Sequence, residues 1–460
     1  MGIRASSGAL FALVASIAVA SPAVVLADDL REALVQTYLT NPRLEGGRAR
    51  LNATDELVPQ ALAGWRPQVF IDAGAEAVRG QGRLVDAPDT IDSDRDTSRI
   101  GLNARQNLYQ GGGTVAATNR AENLVRAERA NLLALEQSVL LEAIDAYTAA
   151  WRDRAVLELA LNNETRLKRQ LQATRDRFQV GDLARTDVAQ AEARLSRARA
   201  DVEAAKANLA SSYAFYERVI GKKPGELEQP KDLPPLPSSL AEAQALAETN
   251  PEVIQATFAL SAARDDVDVA RADLLPSVDL SADLAYVDEP TTSLEWQRQG
   301  SVGINVTIPL YQGGGEYARV RQNRQIVRQR RNDLELAHRT VQERAASAYD
   351  QLLAATAAID AFRSEVRAND IALKGVEEEN LVGVRTVLDV LDAEQELFES
   401  QVNLVRAQRT EITAAYQLKA ATGELTVVDL ELPVEPYDAQ AYYQRTRNRL
   451  FGLDDLAEQP

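Results

Sequence analysis

The chain has 460 residues and carries 51 Lys and Arg against 68 Asp and Glu, a formal net charge of −17. This acidic balance argues against a nucleic-acid-binding protein. With no Cys and a single His, His338, the sequence has no disulfides, thiolate metal sites or cysteine nucleophiles, and most enzyme classes lack their usual reagents. We therefore expect no enzymatic activity, no cofactor and no bound metal.

The N-terminus has the pattern of a secretory signal peptide. Arg4 precedes an apolar stretch from Ala9 to Ala20, and small residues lead up to Ala27, where signal peptidase would cleave. The stretch is too short to span a membrane, and no later segment supplies the roughly 20 apolar residues of a spanning helix. The sequence predicts a signal peptide over residues 1–27 and an exported mature chain, for which a membrane role would require a β-barrel.

The mature chain contains two copies of one pattern, as expected for a structural repeat. An Asn-Pro pair at residues 41–42 returns at 250–251, and the segment LYQGGG at 108–113 returns at 310–315. A cluster of prolines separates the two copies and cannot continue a helix. These matches predict a first repeat over residues 28–229, a proline-rich connector over 230–239, a second repeat over 240–426 and a C-terminal tail over 427–460.

Each repeat is predicted to begin with a helix and to continue with two strands. Alternation of apolar and polar residues places the strands at about 67–78 and 98–110 in the first repeat, and at about 276–287 and 300–311 in the second. A strand of about ten residues, tilted by about 45°, spans a bilayer. Alternation alone leaves two interpretations open, membrane strands and a soluble hairpin packed on a helix, and four strands cannot close a barrel by themselves.

Glycine runs end the second strand of each repeat. They lack the spacing of a phosphate-binding loop, and we interpret them as strand-to-helix corners. The corner residues are Gly111, Gly112 and Gly113 in the first repeat and Gly313, Gly314 and Gly315 in the second. Two long helices follow each corner, predicted at 114–180 and 183–220 and at 316–382 and 386–422. Apolar and small residues in the second helix step by three and four, as in a coiled-coil seam.

The doubled order of helix, two strands, long helix and coiled-coil helix resembles the TolC family of outer-membrane efflux and secretion ducts. The most specific stretch is VGVRTVLDVLDA at residues 382–393, which resembles the family's signature at the periplasmic tip; RFQVG at 177–181 and TDV at 186–188 resemble its partner in the first repeat. The resemblance implies an α+β membrane protein with two structural repeats per protomer. Its trimeric β-barrel, four strands per protomer and twelve in all, would continue into a long periplasmic α-helical coiled-coil barrel.

The same resemblance assigns roles at the tip. Asp389 and Asp392 resemble the aspartates that line the narrowest part of the tunnel, and residues three apart share one face of a helix. Arg385 resembles the arginine that holds the closed state as a latch by reaching Thr186 and Asp187 of a neighbouring protomer. Carboxylates clustered at a constriction would attract cations and repel anions.

Two observations qualify this assignment. Without the resemblance, Asp389 and Asp392 would be interpreted as residues that merely solvate a helix end near Gly383. Asn380 also stands where the best-known member of the family has a tyrosine in the closing network. The sequence does not explain how the latch works with asparagine at this position.

The resemblance implies an exit duct of a tripartite efflux or type I secretion system, located in the cell outer membrane with a large periplasmic part. Such a duct passes substrates from the periplasmic side to the exterior without chemistry of its own. Its implied partners are a periplasmic adaptor (membrane fusion protein), an inner-membrane ABC or proton-driven pump and outer-membrane lipid, and no nucleic acid. The alternative is a periplasmic coiled-coil adaptor or scaffold protein of a transport complex, which should carry one hairpin rather than a doubled pattern. The substrate, a secreted protein or a small molecule, stays open, as do the identity of the pump and the role of the tail.

Overall fold

The computed structural model of the chain describes residues 29–83, 85, 90–230 and 233–453. The predicted signal peptide, residues 231 and 232 of the predicted connector, and residues 454–460 of the tail lie outside the described residues.

The first repeat has helices at both ends and strands between them. Its elements are α1 (Leu30–Thr40), α2 (Pro42–Asp55), α3 (Leu57–Leu62), β1 (Gln68–Val78), β2 (Gln81–Arg83), β3 (Thr90–Asp92), β4 (Arg95–Gln110), α4 (Gly113–Gln179) and α5 (Arg185–Ile220). A single 3-10 turn, Ala63–Trp65, leads into β1.

The second repeat follows the same order with fewer short elements. It comprises α6 (Leu240–Ala247), α7 (Pro251–Ala272), β5 (Ser277–Thr291), β6 (Leu294–Thr307), α8 (Gly315–Leu381) and α9 (Val387–Ala421), and the tail adds α10 (Ala441–Thr446). None of the helices in the described ranges combines the length and the apolarity needed to cross a membrane.

The helical start of each repeat is divided, where the sequence predicts one helix. Pro42 and Pro251 occupy the first helical position of α2 and α7, and the preceding asparagine caps each helix. The side chain of Asn41 accepts a hydrogen bond from the Arg43 N–H at 3.0 Å, and that of Asn250 accepts one from Glu252 at 3.0 Å. Proline has no N–H to donate and suits the first helical turn, so each Asn-Pro pair begins a new helix.

Four strands from the two repeats form one antiparallel sheet in the order β1-β4-β5-β6. One face is apolar and largely exposed, with Ile71 70%, Val302 78% and Ile304 65% accessible. The other face is polar and is linked by ion pairs, such as that between Arg105 and Asp279 at 2.9 Å. Among the described residues, no other element packs against the apolar face, which forms an exposed apolar patch.

The strand ends of the second repeat differ from the predicted ones. β6 ends at Thr307 and not at residue 311, since Pro309 cannot donate a hydrogen bond to a strand ladder. The hairpin between β5 and β6 is also tighter than predicted, with two residues between Thr291 and Leu294. β5 is longer than predicted, and its pairing with β6 shifts register after Asp288, next to Glu289 at φ 44°.

The glycine runs lie between β4 and α4 and between the end of β6 and α8. Gly112 and Gly314 precede the first helical residues with φ of 83° and 84°, a backbone conformation that side chains other than glycine rarely adopt. At Gly111 a Cβ would lie 2.7 Å from the carbonyl oxygen of Ala272, so the close approach to α7 also requires glycine.

Two helical hairpins make up most of the molecule. α4 and α8 have 67 residues each and fold back against α5 and α9, and α4 also packs against α9. The seam of α5 is buried at Ala191, Leu195, Ala198, Val202 and Ala205. The largest apolar cluster lies where the hairpins leave the short helices, and Tyr147 and Tyr216 are fully buried in it.

The helices beneath the sheet stand side by side in the order α2 and α3, α4, α7, α8. This order follows the strand order, so α2 and β1 form one lateral edge of the protomer while α8 and β6 form the other.

The C-terminal tail packs on the first repeat. The Tyr442 hydroxyl donates to Glu56 at 2.9 Å, and Arg447 pairs with Glu122 at 3.0 Å. Tyr443 lies under the guanidinium of Arg129 at 5.0 Å. The tail therefore covers α2, α3 and the upper part of α4, and we find no described segment in the equivalent place on the second repeat.

Candidate functional site at the hairpin tips

Each hairpin turns through the same glycine-based helix end. Gly181, φ 84°, donates to the carbonyl of Phe178 at 3.0 Å, and Gly383, φ 79°, donates to that of Asn380 at 3.1 Å. The N–H of the next residue donates to a second carbonyl: Asp182 to that of Arg177 in the first hairpin, and Val384 to that of Glu379 in the second. This is the Schellman pattern, in which glycine in the left-handed conformation lets a helix end within one residue.

The helix that leaves the second tip is capped by Thr386 and Asp389. The backbone N–H and the hydroxyl of Thr386 donate to the Asp389 carboxylate at 2.9 and 2.8 Å, and the Asp389 N–H returns a bond to the Thr386 hydroxyl at 3.2 Å. The hydrogen bond from the Thr386 backbone, followed by that from its hydroxyl, lowers the pKa of Asp389 below its usual value. Asp389 is therefore ionised at neutral pH and is held in place by a capping box.

The first tip has half of this cap. The Ala184 N–H donates to Asp187 at 3.1 Å, but alanine offers no side-chain oxygen to return the bond. Thr186 is exposed, and Asp187 is half-buried at the first turn of α5.

Side chains join the two tips within one protomer. Arg177 donates to the side-chain oxygen of Asn380 at 3.1 Å, while its other side pairs with Asp182 at 2.7 Å. Asn380 is buried, and its amide donates to the carbonyl of Arg385 at 2.9 Å. Asn380 thus links the first hairpin to the turn of the second.

One turn further along, Arg194 of α5 forms an ion pair with Asp392 of α9. The sequence suggests no specific partner for Asp392, and it leaves Arg194 among flanking charges on a solvated or interhelix face. Only the approach of α5 to α9 shows that the two side chains meet.

Within one chain, the structure places the predicted gate and latch residues at the same end but in separate contacts. Asp389 serves the cap, Asp392 binds Arg194, and Arg385 pairs with Glu379 at 2.9 Å. Among the contacts of the described residues, Arg385 makes none with Thr186 or Asp187. Such a contact would have to come from another protomer.

Sequence reasoning included Arg177 in the tip motif without giving it a role, and it missed Glu379. Both lie in the last turn before the glycine, at equivalent positions of the two repeats, and each pairs with a residue in its own turn. The available signal was their opposite charge at the same repeat position, Arg in the first copy and Glu in the second.

Two further features surround the tips. An apolar rim projects beyond the ion pairs, formed by Val180, Leu381, Val382 and Val384, which are 73–81% exposed.

Between the hairpins, Glu394 is 3% exposed, and burial raises its pKa to about 7 although Arg166 opposes the rise. Among the described residues, no group of three or more His, Asp or Glu side chains could hold a metal ion.

Comparisons with known proteins agree with this architecture. A family model described as outer membrane efflux protein matches residues 33–222 and 243–424, one match for each repeat. The chain is 34% identical over 430 residues to the outer membrane efflux protein BepC of Brucella suis biovar 1, covering 93% of this chain and 92% of that protein. It is 28% identical to the outer membrane protein TolC of Vibrio cholerae, covering 88% and 93%.

Solved structures show the same fold. The outer membrane protein VceC of Vibrio cholerae superposes with a TM-score of 0.75 at 20% identity, covering 86% of this chain and 96% of that one. The predicted fold class and the predicted family resemblance are both confirmed.

Proposed function

Since the chain belongs to the outer membrane efflux protein family and is an exit duct of the outer membrane, we propose that three copies form the duct and that the hairpin tips gate its periplasmic end. The observation that carries this proposal is the sheet, which leaves β1 and β6 unpaired at its two edges and exposes an apolar face. Unpaired strand edges are not tolerated in a bilayer, and closure of strands into a ring satisfies them.

In this assembly β6 of one protomer pairs with β1 of the next, and each protomer gives four strands to a shared barrel. The helices follow the same lateral order, so α8 of one protomer lies beside α2 of the next. The long hairpins continue the barrel towards the periplasm for about 100 Å, the length of a 67-residue helix.

We propose that the closed tip is held at two levels. Within a protomer, Arg177 with Asn380 and Arg194 with Asp392 hold the two hairpins together. Between protomers, Arg385 exchanges its Glu379 partner for Thr186 and Asp187 of the neighbour. Opening separates the hairpins and frees Asp392 from Arg194.

Asp389 and Asp392 form the constriction in this proposal. The capping box fixes the carboxylate of Asp389 and keeps it charged, while Asp392 is charge-compensated in the closed state. Like charges brought together by three-fold symmetry attract cations and repel anions. Asn380 takes over part of the closing network, because its amide binds both Arg177 and the Arg385 carbonyl.

The proposed partners are a periplasmic adaptor and an inner-membrane pump. The exposed apolar rim at Val180, Leu381, Val382 and Val384 supports an adaptor contact at the tip, because a contiguous exposed apolar patch is typical of a protein–protein contact. The substrate is a secreted protein or a small molecule.

Assembly is tested by cross-linking of detergent-extracted mature protein and by membrane fractionation. We expect a trimer in the outer-membrane fraction. A monomer would overturn the proposed assembly.

The gate is tested by single-channel recording in bilayers. The double variant Asp389→Ala and Asp392→Ala should lose block by divalent cations and much of the cation preference. The matched control, Glu396→Ala with Glu399→Ala, removes the same charge from exposed positions one to two turns further along α9 and should retain the block. If the aspartate variant is blocked as strongly as the parent, these residues do not line the constriction.

The latch is tested by Arg385→Ala in the same recordings. Conductance should increase because the closed tip is released, while cation block persists. Unchanged conductance would remove Arg385 from the latch.

A further inference from the structure

Four arginines form a stripe on α8, just below the sheet. They are Arg321, Arg324, Arg328 and Arg331, spaced by three, four and three residues, and each is exposed. This spacing places them on one side of the helix over about 15 Å. Among the described residues, none of the four forms an ion pair with a carboxylate, although Arg319 and Arg330 nearby do so with Asp273 and Asp333.

An unpaired stripe of this kind is unfavourable in isolation. Arginines three and four residues apart on a helix repel one another, whereas a carboxylate brought beside them forms charge-assisted hydrogen bonds. The chain is acidic overall, with a net charge of −17, so the stripe is a local reversal of charge. The chemistry that fits it is a short anionic segment about as long as the stripe.

The equivalent face of the first repeat shows what covers such a position. The four counterparts on α4 are Asn119, Glu122, Arg126 and Arg129. The tail lies against two of them, with Arg447 paired to Glu122 and Tyr443 under Arg129. The chain has one tail for two repeats, and it covers α4.

Beyond its last described residue, Leu453, the sequence continues with Asp454, Asp455 and Glu458 in residues 454–460. Seven residues reach at most about 23 Å when extended, enough to follow a stripe of about 15 Å. The three carboxylates complement the four guanidinium groups in sign and nearly in number.

The described part of the tail reaches the edge of the protomer that is far from its own α8. Arg66, two residues before β1, donates to the carbonyl of Arg449 at 2.9 Å, at the β1 and α2 edge. Within the same chain, α4 and α7 stand between this point and α8. In a closed ring the β1 edge adjoins the β6 and α8 edge of the next protomer.

We propose that residues 454–460 of each protomer bind the arginine stripe of the adjacent protomer and fasten the ring at the level just below the membrane. This inference rests on the proposed trimer. The tail would then join two subunits, covering α4 of its own chain with residues 442–447 and α8 of the neighbour with its acidic end.

The absence of cysteine from the chain allows a direct test by disulfide cross-linking. Leu456→Cys is combined with Tyr317→Cys, an exposed position one turn above Arg321 on the same side of α8. We expect covalent trimers on a non-reducing gel. In the matched control, Leu456→Cys is combined with Gln322→Cys, an exposed position on another side of α8, and should give few of them.

Charge reversal tests whether the cross-link depends on attraction between the arginine stripe and the acidic end of the tail, and not only on their being close together. Arg324→Glu with Arg328→Glu should reduce the cross-link, and added Asp454→Lys with Asp455→Lys should restore it.

A disulfide confined to single chains would overturn the contact between subunits. An intact trimer without any cross-link would overturn this inference and leave the proposed function standing, whereas absence of the trimer would overturn both. If the stripe binds vesicles containing phosphatidylglycerol while the cross-link does not form, anionic lipid is the occupant and the proposal fails.

Discussion

Tyr147 and Tyr349 occupy equivalent positions in the two repeats, yet their surroundings differ. Tyr147 is fully buried, and its hydroxyl donates to the carbonyl of Glu228 at 2.9 Å. Tyr349 is half-buried, and its hydroxyl donates to the carbonyl of Ser238 at 3.3 Å. Both rings sit on long helices of the same length and bind the chain near the connector. The first is covered because α1 and the tail complete an apolar cluster around it, and the second has only a small cluster with α6.

The two hairpin tips also differ at equivalent positions, here in the charge of their side chains. Arg177 and Glu379 are repeat equivalents of opposite sign, and each pairs within its own turn. Arg177 alone also reaches across to Asn380 of the other hairpin. The duplication therefore preserves helix ends and turns, while side chains have diverged wherever the two copies meet different neighbours.

The largest expected effect comes from removing the buried ring. Tyr147→Ala should lower the free energy of unfolding by about 3–5 kcal/mol, because it leaves a cavity in the main apolar cluster and an unpaired carbonyl at Glu228. Tyr349→Ala should cost about 1–2 kcal/mol, since its ring is partly solvated. Thermal unfolding followed by circular dichroism in detergent measures both. Equal losses would show that the covering of the first repeat adds no stability.

The next effect depends on pH and concerns Glu394 and its counterpart Glu192. Burial raises the pKa of Glu394 to about 7, with Arg166 on α4 opposing and Glu377 on α8 reinforcing the rise. As pH increases from about 4.5 to about 7, the unfolded chain releases this proton before the folded one, so the free energy of unfolding should fall, by an amount on the order of 2–3 kcal/mol.

Glu394→Gln should remove this pH dependence and stabilise the hairpin contact above pH 7. The matched control is Glu192→Gln at the equivalent position of the first repeat, where Glu192 is exposed and pairs with Arg175 at 2.5 Å. Melting temperatures measured between pH 5 and pH 8 compare the two variants. The same slope in the Glu394 variant and in the parent would mean that the buried carboxyl does not titrate in this range.

The smallest effect concerns the helix caps. Thr386→Ala should cost about 1 kcal/mol, because it removes the hydroxyl that binds the Asp389 N–H. Ala184→Thr should gain part of that amount, since Ala184 has the same extended backbone conformation as Thr386 and Asp187 is already in place. Hydrogen exchange of the first-turn amides of α5 and α9 reports each change locally. Faster exchange at α5 after Ala184→Thr would contradict the capping argument.

Much of the fold could be predicted because its signals are local. Period-two alternation indicated the strands, and the predicted ends of the long helices at residues 180 and 382, each just before a glycine, lie within one residue of the observed ends at Gln179 and Leu381. Errors occurred where a local rule was weighed too lightly, as at Pro309, where β6 stops early, and at the Asn-Pro pairs, which divide the first helical segment.

The candidate site was less predictable. Asp389 and Asp392 were identified through the family motif, but their partners differ in kind. The partner of Asp389 is Thr386, three residues away, which a capping rule could have found. The partner of Asp392 is Arg194, on the other hairpin, and nothing in the local sequence relates the two.

The sequence by itself determined the repeats, the length of the long helices and their seams, because each is encoded by neighbouring residues through backbone conformation and periodic burial. Only the tertiary structure decided which charges meet at the tips, which of two equivalent tyrosines is buried, and which helix face the single tail covers. These outcomes depend on which helix packs beside which, and two copies of one local pattern cannot specify different neighbours until the chain has folded.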